Sequence, residues 1–210
     1  MPDYGNERVL CVPTDAVKQI GEFQGFSPEW AKYLHNLLKS GLASFELRKH
    51  VETDPRFKQI IPYMVIEYRN PDLRTQSILR YCRTKHSGEA RLRGKITIGI
   101  GGHINPVDGI DDPTLAFEMG WRRELREEVR IDARYEIAPI GVLNDDSDDV
   151  GKVHFGVVLR VGVSKPCVYP NNHESIEMFF DDAKNYPFPA TPNYEGWSRL
   201  VLDSDSLIKR

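Results

Sequence analysis

One segment narrows what this chain can fold into more than any other: residues 112–130, DPTLAFEMGWRRELREEVR. Asp112 offers the short side-chain acceptor of an N-cap, and Pro113 suits the first helical position, where no backbone N–H is needed. Trp121, Leu125 and Val129 recur every four residues, with Leu115 and Phe117 flanking them, so the spacing predicts a long helix with one core-facing stripe. Its surroundings read mainly as strands. Residues 8–12, 59–68, 76–83, 95–101, 135–143 and 152–163 are runs rich in β-branched and aromatic side chains, bounded by turn formers. Pro13-Thr14-Asp15 reads as a turn, and Pro62 suggests an edge position or a late start for 59–68. Residues 28–42 form a second predicted helix, capped by Ser27, and a short last helix is expected from Glu195 to Leu200. Strands with one strong central helix, rather than strands alternating with helices, give an α+β fold.

Composition narrows the functional classes. The 210 residues hold 28 Lys+Arg against 31 Asp+Glu, a formal net charge of −3, which argues against a general nucleic-acid binder. Apolar residues at 40% and charged residues at 28% are enough for a folded core. No apolar run approaches the ~20 residues that span a bilayer, so no membrane partner is expected. MPDYGNERVL lacks the basic and apolar regions of a secretory signal. Cys11, Cys82 and Cys167 are odd in number and far apart, matching neither a disulfide framework nor zinc spacing. A reduced, cytoplasmic protein is expected.

The helix also carries the best candidate chemistry. At about 100° per residue, Glu124 and Glu128 lie to one side of Leu125 and Glu127 a little further round. Three carboxylates on one flank repel unless a cation binds them, and a hard divalent ion such as Mg²⁺ takes oxygen ligands of this kind. Gly120 on the same flank leaves room for a loop or ligand. Taken alone, Arg123-Glu124-Leu125-Arg126-Glu127-Glu128 could equally be a solvated face with ordinary ion pairs.

The context favours the metal. A strand ends in Gly101-Gly102-His103, a loop follows, and then the capped helix. This order resembles the Nudix hydrolase family, whose signature is G-x5-E-x7-R-E-U-x-E-E-x-G-U, with U aliphatic. Gly109, Arg123, Glu124, Leu125, Glu127, Glu128 and Ile131 fit it, while Leu115 stands at its first Glu and Arg130 at its late Gly. The family's Gly-Gly pair corresponds to Gly101-Gly102, with a loop seven residues longer than the signature allows. Asp108, Asp111, Asp112 or Glu118 could then supply the missing carboxylate.

The resemblance implies a Nudix-type α/β/α sandwich with a mixed sheet over residues 76–210, and an N-terminal extension, residues 1–75, packed on it as a sheet edge, lid or homodimer surface. It implies Mg²⁺-dependent (or Mn²⁺-dependent) hydrolysis of a diphosphate linkage in a nucleoside diphosphate derivative. Glu124, Glu127 and Glu128 would hold the metal, and Arg123 would orient a carboxylate. The substrate, a small-molecule diphosphate, would meet Gly101, Gly102, His103, Arg91, Arg93 and Glu174. Arg91 and Arg93 come from a stretch, 69–95, with eight positive and two negative residues, suited to bidentate phosphate contacts. Glu174, with Glu177, is also a candidate base, although acids suit a helix N-terminal turn. Asp145, Asp146, Asp148 and Asp149 read as a solvated loop before a further cation site, and His154 as a packed strand residue. Two other readings differ in class. An isopentenyl-diphosphate-type isomerase would need a cysteine near the glycines, where this chain has His103. A non-catalytic Nudix-like nucleotide-binding or regulatory domain would fit the two signature departures.

Overall fold

The computed structural model describes residues 4–39, 41–83, 95–109, 112–171, 176–182, 193–204 and 206–207. They divide into two compact units, one built from Met1–Tyr63, Gly101–Glu124 and Ile140–Val158, the other from Met64–Ile100, Leu125–Pro139 and Leu159–Arg210. The secondary structure is α+β, with a mixed sheet and helices. No helix among the described residues is long and apolar enough to cross a membrane.

The first unit is organised by β1 (Arg8–Pro13). It runs antiparallel to β3 (Ser44–Leu47), which a single helical turn, α3 (Arg48–Val51), follows, on one side and to the start of β4 (Phe57–Asn70) on the other. A strand paired on both edges and covered on both faces needs a continuous apolar run, and Val9, Leu10, Cys11 and Val12 are all fully buried. Pro62 lies inside β4 rather than at its edge or start. The β1 ladder ends at Gln59, so the missing N–H of Pro62 removes nothing from it. The turn expected at 13–15 is instead the start of a helix, α1 (Thr14–Ile20). Its first residue is fixed by tertiary bonds, Thr14 N–H to Arg56 O at 2.8 Å and Thr14 Oγ1 to Pro55 O at 2.7 Å. The next helix, α2 (Trp30–Lys39), buries Tyr33, Leu37 and Leu38, and the Tyr33 hydroxyl donates to Gly21 O at 2.7 Å. Between them, β2 (Gly25–Ser27) pairs antiparallel with the end of β9 (Tyr135–Asn144). Phe23, Tyr33 and Phe155, the last on β10 (His154–Val163), form an aromatic group with centroids 5.0–6.2 Å apart.

The second unit holds a hairpin and its neighbours. The end of β4 pairs antiparallel with β5 (Thr75–Arg83), which also carries β12 (Ile176–Asp182) and β6 (Ile96–Thr97). Asn70 Oδ1 accepts from the N–H groups of Asp72 and Leu73, and Arg74 takes the left-handed backbone (φ 50°) that closes the turn. Residues 176–182, read as the neighbourhood of a helix turn, form a full strand. The strand expected over 95–101 is split into β6 and β7 (Gly99–Gly101). At the break, Ile98 N–H bonds the Ser198 hydroxyl of α6 (Gly196–Asp203) at 3.0 Å.

The long helix is α5 (Pro113–Glu128), shorter than predicted, because β8 (Val129–Ile131) follows at once and pairs with β11 (Val168–Pro170). Asn171 caps its end, donating from its backbone N–H to Glu128 O at 2.9 Å and from Nδ2 to Arg126 O at 2.5 Å. Arg130 therefore stands in a strand, and no glycine-permitted turn is required there. Trp121, Leu125 and Val129 are buried as the spacing predicts, as is Phe117, whereas Leu115 is half exposed in the helix's first turn.

The burial of β1 carries a chemical consequence. Desolvation pushes the Cys11 thiol up to about 12, with Glu46 adding to it. Alkylation follows the thiolate, so iodoacetamide at pH 8 should label Cys82 and Cys167, which are half-buried, and leave Cys11 intact in the native protein. Peptide mass spectrometry reads the difference, and equal labelling of all three would contradict the burial.

Candidate active site

The site grows out of the join between the glycine-ended strand and α5. After Gly102 the chain runs beside β1: Leu10 N–H donates to Ile104 O at 2.8 Å, and Asn105 Nδ2 to Arg8 O at 2.8 Å. A single helical turn, α4 (Pro106–Gly109), takes up part of the long loop, with Asp108 Oδ2 accepting from Asn105 N–H at 2.8 Å. Gly120 lets this loop approach α5, since a Cβ there would lie 2.5 Å from Ile104 Cδ1 and 2.9 Å from Asp108 Oδ2.

Arg123 binds the loop to the helix. Its Nε and Nη2 donate to the two Asp108 oxygens at 2.7 and 3.0 Å, a bidentate pair. Nη2 also reaches His103 O at 2.8 Å and Asn105 Oδ1 at 3.1 Å, and Nη1 donates to Glu124 Oε1 at 2.7 Å. The Asp108 hydrogen bonds first, then the charge of Glu124, hold the guanidinium above its ordinary pKa although burial opposes them. Of the three described carboxylates open to the missing role, Asp108 is the one at this arginine. Asp112 caps α5, accepting from the N–H groups of Thr114 and Leu115, and Glu118 pairs with Arg122. Asp111 lies outside the described residues.

Glu124 is buried, 8% exposed, and rests against the glycines: a Cβ at Gly102 would sit 2.0 Å from its Oε2. A Cβ at Gly101 would lie 2.6 Å from Pro62 O, so backbone approach requires this glycine too. Glu127 and Glu128 follow one turn on along α5, Glu127 exposed and Glu128 half-buried. The expected substrate contacts Arg91, Arg93 and Glu174 lie outside the described residues.

The structure gives the remaining candidates different surroundings. The acidic loop is internally engaged. Asp146 pairs with the fully buried Lys58 at 2.7 Å, Asp148 Oδ1 accepts from the N–H groups of Val150 and Gly151, Asp145 from that of Ser147, and Asp149 pairs with Lys152. Burial lowers the Lys58 pKa against the pull of Asp146. Lys58 also donates to Gly151 O at 2.9 Å and His154 O at 3.4 Å, so it acts as a strut beneath the loop. His103 is joined by two residues that sequence reasoning did not place with it. Among the described residues, Glu52, His103 and His154 offer three ligand atoms within 4.8 Å of one another. A histidine inside a valine-rich strand was a visible signal for His154; Glu52 carried none.

No protein-family profile matches this chain. Protein YmaB of Bacillus subtilis (strain 168) is 35% identical over 212 residues, covering 94% of this chain and 97% of that protein. Among solved structures, Tm1382, provisionally assigned as a Nudix hydrolase, superposes with a TM-score of 0.77 at 27% identity, covering 97% of this chain and all of that one. The Nudix domain of Shewanella oneidensis NrtR, complexed with ADP ribose, gives a TM-score of 0.53 over 85% of this chain and 98% of that one. At 12% identity it shows the fold alone. With the glycine-ended strand, the signature arginine and the helix carboxylates in one connected segment, the chain belongs to the Nudix hydrolase family. It is an enzyme, a hydrolase.

Proposed function

We propose that the enzyme hydrolyses the diphosphate linkage of a nucleoside diphosphate joined to another moiety, using Mg²⁺ or Mn²⁺ held by Glu124, Glu127 and Glu128. The observation that carries this reading is the clamp of Arg123 on Glu124 and Asp108, which fixes the signature carboxylate against Gly102. The donor set suits the ion: all-oxygen, anionic, and spaced three and four residues apart on one helix. Gly102 leaves open the space beside Glu124 that a side chain would fill.

When bound, the ion supplies Lewis-acid charge against the negative charge that develops on the phosphate oxygens. The chain does the rest. Arg123 orients Glu124 and anchors the loop, while the backbone at Gly101 and Gly102 and the arginines Arg91 and Arg93 seat the phosphates. A helix carboxylate or Glu174 takes a proton from the attacking water, whose oxygen bonds to phosphorus as the bridging P–O bond breaks. The substrate partner is a small-molecule diphosphate, and the enzyme works in the cytoplasm, where Cys11, Cys82 and Cys167 stay reduced.

A phosphate-release panel of ADP ribose, nucleotide sugars, dinucleoside polyphosphates and nucleoside triphosphates tests the proposal, run with and without Mg²⁺ or Mn²⁺. Turnover of at least one nucleoside-diphosphate derivative, abolished by chelation, is expected. Failure on every diphosphate-linked substrate with both metals would overturn the reading.

A further inference from the structure

We propose that Glu52, His103 and His154 form a second metal site, separate from the helix carboxylates and selective for a divalent transition ion of the Zn²⁺ class. The three residues lie in the first unit, with ligand atoms within 4.8 Å of one another. Ligands around a single zinc sit about 2.0–2.2 Å from it, so small side-chain rotations close the set. Two imidazoles and one carboxylate are the ligands of His₂Glu zinc centres and of two-histidine, one-carboxylate iron centres. Mg²⁺ prefers oxygen, so this donor set discriminates against the ion proposed for α5.

Two of the three ligands are held from behind by their side chains. His154 Nδ1 lies 2.6 Å from Val150 O, and a carbonyl can only accept, so Nδ1 carries a proton and Nε2 is the nitrogen left for a metal. Binding the outer N–H to a carbonyl is the usual way a ligating imidazole is fixed. Glu52 Oε2 accepts from Arg48 Nε and Gln59 Nε2, both at 3.4 Å. The backbone carbonyl of His103 is held by Arg123 Nη2 at 2.8 Å. Arg48 brings positive charge near the cluster, but it is paired with Glu7 at 3.0 Å as well as with Glu52.

The second observation is an orphan. His103 is half-buried as a residue, yet its Nε2 is closed off from solvent and has no hydrogen-bond partner among the described residues. A buried polar atom without a partner is costly, and a metal would satisfy it. The two imidazole rings stand 5.7 Å apart at 64°, which lets both approach a common point without stacking. Burial first, then the charges of Arg48, His154 and Arg123, depress the His103 pKa well below the ordinary value.

This inference is independent of the diphosphatase reading. Tag-free, chelator-stripped full-length protein is dialysed against buffered Zn²⁺, with elemental analysis of the bound metal. One tight equivalent is expected, retained in the Glu124→Gln/Glu127→Gln double variant. It should weaken by on the order of a hundredfold or more in His103→Ala and His154→Ala, since loss of an outer partner alone costs about 10–100-fold. X-ray absorption of the Zn²⁺-loaded wild type needs no variant and should show two imidazole ligands. The proposal is overturned by no stoichiometric Zn²⁺ in the wild type, by an oxygen-only shell, or by a site lost only with the helix glutamates.

Discussion

Glu127→Gln should keep the fold and lower turnover by on the order of a hundredfold or more, since metal-borne charge stabilisation is worth several kcal/mol and about 1.4 kcal/mol is tenfold in rate. Glu127 is exposed on α5, so its neutral isostere disturbs no packing. Removing one of three like charges should leave metal-free stability unchanged or slightly raised. Glu136→Gln, exposed on β9 and outside the helix, is the control and should change turnover little. Both variants are compared on a substrate that the wild type cleaves, with thermal melts recorded alongside. Near wild-type turnover for Glu127→Gln would remove the three-carboxylate assignment.

Gly102→Ala should be as damaging, by a steric route. The backbone at Gly102 is outside the left-handed region, so alanine meets no conformational penalty there. Its Cβ, however, would fall 2.0 Å from Glu124 Oε2 and 2.2 Å from Cδ. Glu124 must swing away, giving up its bond to Arg123. Turnover should fall by on the order of a hundredfold, and stability by about 1–3 kcal/mol, the usual cost of overpacking. The double variant Gly102→Ala/Glu124→Ala removes the clash and should regain stability without regaining activity. Full activity in Gly102→Ala would show that the carboxylate need not lie against the glycines.

Much of the candidate site could be read along the chain because its parts are local. The REL-REE run, the glycine pair and the Asp112-Pro113 cap each concern residues within a turn or two of one another, and helical periodicity orders them on one helix. The long loop was legible as a length but not as a structure. The loop carboxylate that meets Arg123 is Asp108, fifteen positions before it, and nothing in the spacing separates it from Asp111, Asp112 or Glu118. Leu115 flanks the predicted core stripe and is half exposed.

The sequence by itself determined the α+β class, the long helix and the carboxylates on it, since these follow from short-range periodicity and capping, while the family entered as a resemblance to its signature. Only the tertiary structure decided where α5 stops, that residues 14–20 are helical, and that β6 and β7 are separate strands. In each case the deciding hydrogen bond comes from a distant residue: Asn171, Arg56 and Ser198. The same holds for Glu52, His103 and His154, brought together from three separated segments. A cluster of that kind has no spacing to read, because chain separation carries no information about distance once a sheet has brought its strands together.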